Sequence, residues 1–501
     1  MRTRLATLAL MAATGTSAAQ DATPLAMPDW LSDSVTRPHA NVATSVDRPE
    51  ITVMPLGAVQ LDAVGLLPTA ITGLPQGLWG SSDAEVLANL MRAQSHNGLP
   101  AILTFTETLA LAELDPPNDA PPEGSALFLA RIDLLLTRGA LDQAQALIER
   151  AGPTQAPIFR RWFDVSLLTN QANRACAAMQ ANPDIAPTFP ARIFCLARSG
   201  DWNAAALSLG TGAALGYLSQ DEADLIARFL DPELFEGEPP LPPDRNLTPL
   251  TYQMRAALGE RPSSAGLPLA FAHADLADVA GWRAQLDAAE RLTRSGAIAP
   301  TQWLEIYTAR VPSASGGVWD RVAALQAFDA AVLAADPNEI ARHLPAAWAA
   351  MEQAGLQIAF AAIYGERVSR QPFTGHTAAL ARRVGLLSPL YESVAQSAVA
   401  QSADERLAFA IARGLSPELP ADAPLITRAV AAAFSDPDVP TRYEWLLTRG
   451  NLGEALLRAA LILSAPGGDP DDLTDALRLY RAVGLEDVAR RAALQLLLLT
   501  A

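Results

Sequence analysis

The chain has 501 residues, half of them hydrophobic and 18% charged, and its 54 acidic residues outnumber 37 basic ones for a formal net charge of −17. So apolar a composition excludes a disordered polyelectrolyte, and so acidic a balance argues against nucleic-acid phosphates or anionic lipid as partners. Every basic residue counted there is Arg and Lys is absent, which, with abundant Ala, Leu and Pro, fits a GC-rich bacterial genome.

In chain order, residues 1–19 read as a secretory signal: Arg2 and Arg4, an apolar run from Leu5 to Ala13, and the small residues Ser17, Ala18 and Ala19 before Gln20. The run is shorter than the roughly 20 residues a membrane-spanning helix needs, and no Cys follows it to carry a lipid. The expectation is an exported periplasmic protein without an integral membrane span. Residues 20–80 form a Pro/Gly-rich stretch in which no helical period persists, with a possible short strand from Arg48 to Gly57. It is too apolar for a plain linker and reads as an extended arm that packs on the body or docks on a partner.

From Ser81 helices take over, with serines placed to cap the first and Pro100 opening the second. SALFLARIDLLLTRG and ALDQAQALIERAG form the clearest helix pair, and Leu141, Ala144, Leu147 and Ile148 mark a buried face in the second helix. Residues 81–235 make a first helical half. Residues 236–249, with five prolines in fourteen residues, make a linker, and residues 250–501 make a second half. With 3.6-residue periodicity between the breaks and hardly any alternation, the fold class is all-α.

Cys176 and Cys195 lie in predicted helices on either side of the turn ANPDIAPTFP, so they can face each other across one hairpin. A structural disulfide is the favoured reading in an oxidising compartment, with two buried thiols as the alternative; the CxxC spacing of redox catalysis is absent.

One phrase recurs: a helix end, Gly, a spacer, a large apolar residue, two spacers and Ala. It occurs as Gly139/Leu141/Ala144, Gly200/Trp202/Ala205 and Gly450/Leu452/Ala455, with a shortened copy at residues 482–489. These elbows resemble the tetratricopeptide repeat, in which Gly allows a tight turn and the bulky residue and Ala pack between helices. Gly139 and Gly200 are 61 residues apart, so the array departs from a 34-residue period. The resemblance implies a right-handed α-solenoid of antiparallel hairpins with an extended N-terminal arm. More weakly, the layout (signal, acidic Ala-rich helical body, Cys pair, N-terminal arm) resembles alphaproteobacterial periplasmic motility proteins associated with the flagellar motor, which implies a peptidoglycan-bound partner.

The chain ends in RRAALQLLLLTA, where Leu494, Leu496, Leu497, Leu498 and Leu499 make a helix apolar on all sides. It is read as a closing helix, or as a docking helix for a partner or a second copy. Trp202, Trp282, Trp303, Trp319 and Trp348 are expected to pack between helices, with one or two open to a groove.

No catalytic, cofactor or metal motif stands out. His39, His96, His273, His343 and His376 are isolated. His273 with Asp275 and Asp278 lacks ligand spacing, and acidic pairs such as Glu222 and Asp224 are uninformative in so acidic a chain. Glu392-Ser393 begins like a lytic transglycosylase signature, but no GLMQ-like segment follows. The expectation is therefore a non-enzymatic scaffold, adaptor or chaperone, without cofactor, that binds another cell-envelope protein. The alternatives are an enzyme acting on cell-wall or other polysaccharide and a self-assembling structural protein.

Overall fold

The computed structural model describes residues 60–499, apart from residues 119, 122, 123, 245, 420, 421, 437, 466 and 467. The signal, most of the arm and the possible strand at residues 48–57 lie outside the described residues. Within them the chain is all-α: 25 α-helices joined by short turns and 3-10 segments, with one isolated bridge between Leu67 and Ala112 and no strand. None of these helices is long and apolar enough to cross a membrane.

The turns repeat one piece of backbone chemistry. At Gly139 (φ +74°) the amide N–H donates to the Leu136 carbonyl, and the next amide, Ala140, reaches back to Leu135. This is a Schellman stop: left-handed backbone lets two amides satisfy carbonyls that the helix end leaves open. The same pair of bonds recurs at Gly200, Gly450 and Gly484, and also at Gly216, Gly296, Gly355 and Gly414. Two further copies use other residues, Asn170 (φ 61°) and Ala335 (φ 52°). Asn tolerates this conformation better than other non-Gly residues because its short amide can bond locally. Asn170 stands thirty-one residues after Gly139 and thirty before Gly200, so the long interval between those elbows holds a third one.

Capping follows similar local rules, with one correction. Ser81 and Ser82 do not cap the helix Ala84–Arg92; the Asp83 carboxylate accepts from the Val86 amide instead, and the serines bond elsewhere. Pro100 does open the helix Pro100–Leu111, at its first position.

Packing brings the first described helices onto the last ones. One hydrophobic core draws on residues 61–274 and again on residues 386–494, while the middle of the chain, 272–387, builds a second. Helix Ala84–Arg92 packs on Leu452–Ser464, and Pro100–Leu111 packs on both Leu452–Ser464 and Glu486–Leu498. The segment Leu78–Ser82 straps over the Gly450 elbow. Trp79 is buried against Gly453, the Gly453 amide donates to the Leu78 carbonyl (2.8 Å), and Ser81 donates to the Asn451 side chain. Tyr252, Met254 and Phe271, which follow the Pro-rich 236–249 stretch, share the first core, and Arg255 ties that stretch down through Asp244 and the Pro242 carbonyl.

Arginine also works inside the protein. Arg131 is fully buried and donates to the carbonyls of Asp62, Ala110 and Ala112, and Arg138 donates to those of Ser95 and Leu103 and to the Thr106 hydroxyl. Burial lowers both guanidinium pKa values to about 10, so both remain charged at neutral pH. The planar fork holds several carbonyls at once, which a lysine ammonium on its flexible stem does less well.

Candidate functional site

The three full copies of the elbow phrase share a local turn and differ in what lies on them. Ala144, Ala205 and Ala455 are all fully buried, as the phrase implies. Over Gly139 lie Leu269 and Leu292, and the His273 ring nitrogen Nε2 donates to the Gly139 carbonyl. The Gly450 copy is covered by the strap, where a side chain at Gly80 would run into the Gly450 carbonyl. Among the described residues no distant segment is packed over the Gly200 copy. Leu141 is fully buried and Leu452 half-buried, but Trp202 is 51% exposed, which corrects the expectation that it packs between helices. Trp282, Trp303 and Trp348 are buried and Trp319 is half-buried.

The helix that follows, Trp202–Ala214, buries only Ala205 and Gly212, against Phe189–Arg198 and Gln220–Leu230. At 100° per residue Trp202, Ala213, Ala206, Gly210, Asn203, Ala214 and Leu207 fall in that order within an arc of about 140°. Leu207 is 73% exposed, and beyond the helix end Leu215 and Tyr217 are 63% and 50% exposed. No charged residue occurs between Asp201 and Asp221. An amphipathic surface helix ordinarily turns charge toward water. This one turns small and large apolar groups outward, with Ala206, Gly210 and Ala213 forming a low centre between bulky ends.

The chain that follows is mostly acidic, although Arg192 and Arg198 stand exposed on the helix beneath. From Ser199 to Pro240 the chain carries eight acidic residues and a single basic one, Arg228, which is bridged to Glu238. Leu234, on the next turn of chain, is also exposed.

The base of the surface is stiff. Cys176 in Ala172–Ala181 and Cys195 in Phe189–Arg198 form a disulfide, their Cα atoms 5.0 Å apart. The bonded helix Phe189–Arg198 is the one on which Trp202–Ala214 rests, and Gly212 lets it approach the Phe189 ring closely.

The C-terminal leucines lie elsewhere. Leu494 is buried and Leu496 to Leu499 are half-buried, within a helix packed on Pro100–Leu111, Ala403–Ala412, Leu425–Ser435 and Pro470–Ala482. Arg383 donates to the Leu498 carbonyl. The molecule takes up this helix as a closing element, and none of these leucines stands exposed.

Two carboxylates close to a cavity, Asp62 and Asp83, act as caps. In the cavity between the 60s segment and helices Ala84–Arg92 and Ala126–Thr137, Asp62 accepts from the Phe128 amide and Asp83 caps its own helix. Burial raises the Asp62 pKa. Glu392 is bonded by Gln396 and Arg490 at the surface. His273 borders a groove of about 530 Å³ with Asp142, Asn170, Tyr252 and Arg261, and burial lowers its pKa. Among the described residues no group of three His, Cys, Asp or Glu side chains is placed to hold a metal ion.

Comparison of the chain with protein-family models, with curated proteins and with solved structures finds no match.

Proposed function

We propose that the protein is a non-enzymatic adaptor of the cell envelope that captures an amphipathic, basic-flanked helix of a partner protein on the Trp202–Ala214 surface. The observation that carries this reading is the bare Gly200 elbow. The same phrase is covered by other parts of the chain in its two other full copies and here presents a charge-free apolar helix to solvent. Burying apolar area would drive association, and the acidic rim would steer a basic partner and speed its encounter. The rim also discriminates among occupants. Anionic lipid headgroups would be repelled, and a second copy would set acidic rim against acidic rim.

On this reading the helix pairs stack as a tetratricopeptide-like solenoid whose ends close on each other, the disulfide reflects an oxidising periplasm, and the partner is another envelope protein. The weaker resemblance in layout would place that partner at the flagellar motor.

The test uses the full chain and a synthetic Leu/Arg amphipathic helix as probe. Binding followed by Trp fluorescence should weaken as salt rises and be abolished by Leu207→Asp, with the melting temperature unchanged. A partner cross-linked in envelope extracts should be lost with the same variant. Salt-independent binding, or binding that survives Leu207→Asp, would count against the surface.

A further inference from the structure

A cleft of about 440 Å³ opens where the first, middle and last parts of the chain meet. Its walls are Leu74 and Phe105 from the first part, Ile358, Leu386 and Leu387 from the middle, and Val488 and Leu494 from the last helix. It lies between the two hydrophobic cores rather than inside either one. Clefts of about 300–1,000 Å³ with apolar walls and a few placed polar groups are the usual form of a small-molecule site.

Beside the hydroxyls of Thr72, Thr104, Thr108 and Ser388, the cleft is lined by an amide and a guanidinium from one stripe of the helix Glu486–Leu498. Gln495 is 6% exposed, and its Oε1 accepts from the Ala101 amide at 2.9 Å. That amide sits in the first turn of Pro100–Leu111, where the helix offers it no acceptor. The bond therefore fixes the orientation of the Gln495 amide, with oxygen toward Ala101 and NH2 away from it. Among the described residues the only hydrogen bond of this side chain is the one at Oε1. One turn earlier Arg491 stands at the rim, its ring-facing side over Tyr391 and its Nε on Asp487 at 2.8 Å. Among the described residues its one further hydrogen bond is a long one from Nη2 to the Pro389 carbonyl at 3.5 Å, and none is made by Nη1. Asp487 is taken by Arg491 and by the Tyr391 hydroxyl.

We infer that this cleft binds a fatty-acid-class amphiphile: an apolar chain between Phe105, Ile358 and Leu387, and a carboxylate held by Gln495 Nε2 and Arg491. Donors at i and i+4 on one helix face are neighbours and can share one carboxylate. Each wall comes from a different part of the chain, so the ligand would also tie the closure of the molecule together.

Decanoate is the probe, added to the full-length protein and followed by calorimetry, with decyltrimethylammonium as the ligand of opposite headgroup. Gln495→Glu keeps an acceptor for the Ala101 amide but replaces the free donor with negative charge. It should weaken decanoate binding about tenfold or more; burying the new carboxylate also lowers the melting temperature, so binding is compared well below it. Ala362→Trp, at an exposed position of the cleft wall, should fill the space and abolish binding. The inference is overturned if decanoate does not bind, if decyltrimethylammonium binds equally well, or if both variants retain wild-type affinity.

Discussion

Replacing Gly453 with alanine sets two effects of opposite sign against each other. Inside a helix, exchanging Gly for Ala gains up to about 1 kcal/mol, because the unfolded chain has less freedom to lose. Gly453 lies at the start of Leu452–Ser464, and a Cβ there would stand 2.3 Å from Trp79 Cε3 and 2.6 Å from Cζ3. Trp79 is only 1% exposed and has no open direction in which to retreat. Forcing atoms into such a site costs about 1–3 kcal/mol. Displacing Trp79 would also strain the Gly453–Leu78 backbone bond (2.8 Å) and the Ser82–Glu454 bond (2.9 Å). Gly453→Ala should therefore destabilise the protein by about 1–2 kcal/mol net, despite the gain in helix propensity. Trp79→Ala alone should cost about 3–5 kcal/mol, and in that background Gly453→Ala should become neutral or stabilising by up to about 1 kcal/mol. Denaturant unfolding of the four proteins, followed by circular dichroism and fluorescence together, measures the coupling. Stabilisation by Gly453→Ala alone, or an equal loss in both backgrounds, would refute the idea that the strap closes onto this elbow.

Four further outcomes follow from bonds elsewhere in the fold. Changing both Cys176 and Cys195 to Ala opens a link between positions 19 residues apart and should cost about 3 kcal/mol in denaturant unfolding; non-reducing thiol alkylation of the parent should label neither residue. Asp133→Ala strands the buried Arg161, now held by two bonds of 2.6 and 3.0 Å with both side chains 2% exposed or less, and should cost about 3–5 kcal/mol. Asp472→Ala, which removes the surface partner of Arg442, should cost about 1 kcal/mol or less in the same assay. His273 has its pKa lowered below 6.5 by burial, with the Gly139 carbonyl as partner of its ring N–H. The unfolded chain therefore takes up the proton first, so the stability His273 confers is fully present above pH 6.5 and falls as pH drops through the window below it. His273→Gln should flatten that slope in melting curves recorded between about pH 5 and 7.5.

The helices and their stops were legible because their causes lie within a few residues. A left-handed Gly, two backward amide bonds and a 3.6-residue apolar period belong to the local chain, and the phrases at Gly139, Gly200 and Gly450 show them directly. Asn170 escaped the pattern because Asn stands in the Gly position and Ala172 in that of the large apolar residue; Asn170, Ala172 and Ala175 keep the spacing of Gly139, Leu141 and Ala144. The Cys pair was legible for the same reason, since one short turn sets its separation. The charge-free run after Asp201 was also visible, but its meaning was not.

Whether an apolar face is covered is a different matter. Leu141, Trp202 and Leu452 occupy equivalent places in one phrase, and the phrase says only that each gains by leaving water. What covers them arrives from far away: residues 269–292 over Gly139, residues 78–82 over Gly450 and, among the described residues, no distant segment over Gly200. The C-terminal leucines, apolar on every side, likewise left open whether a partner or the protein itself would surround them. The last helix meets Pro100–Leu111 across nearly 400 residues of sequence. By itself the sequence determined the helices, their turns and which faces seek cover, because those depend on nearest neighbours. Only the tertiary structure decided which face stays bare, because cover depends on distant segments sharing one volume.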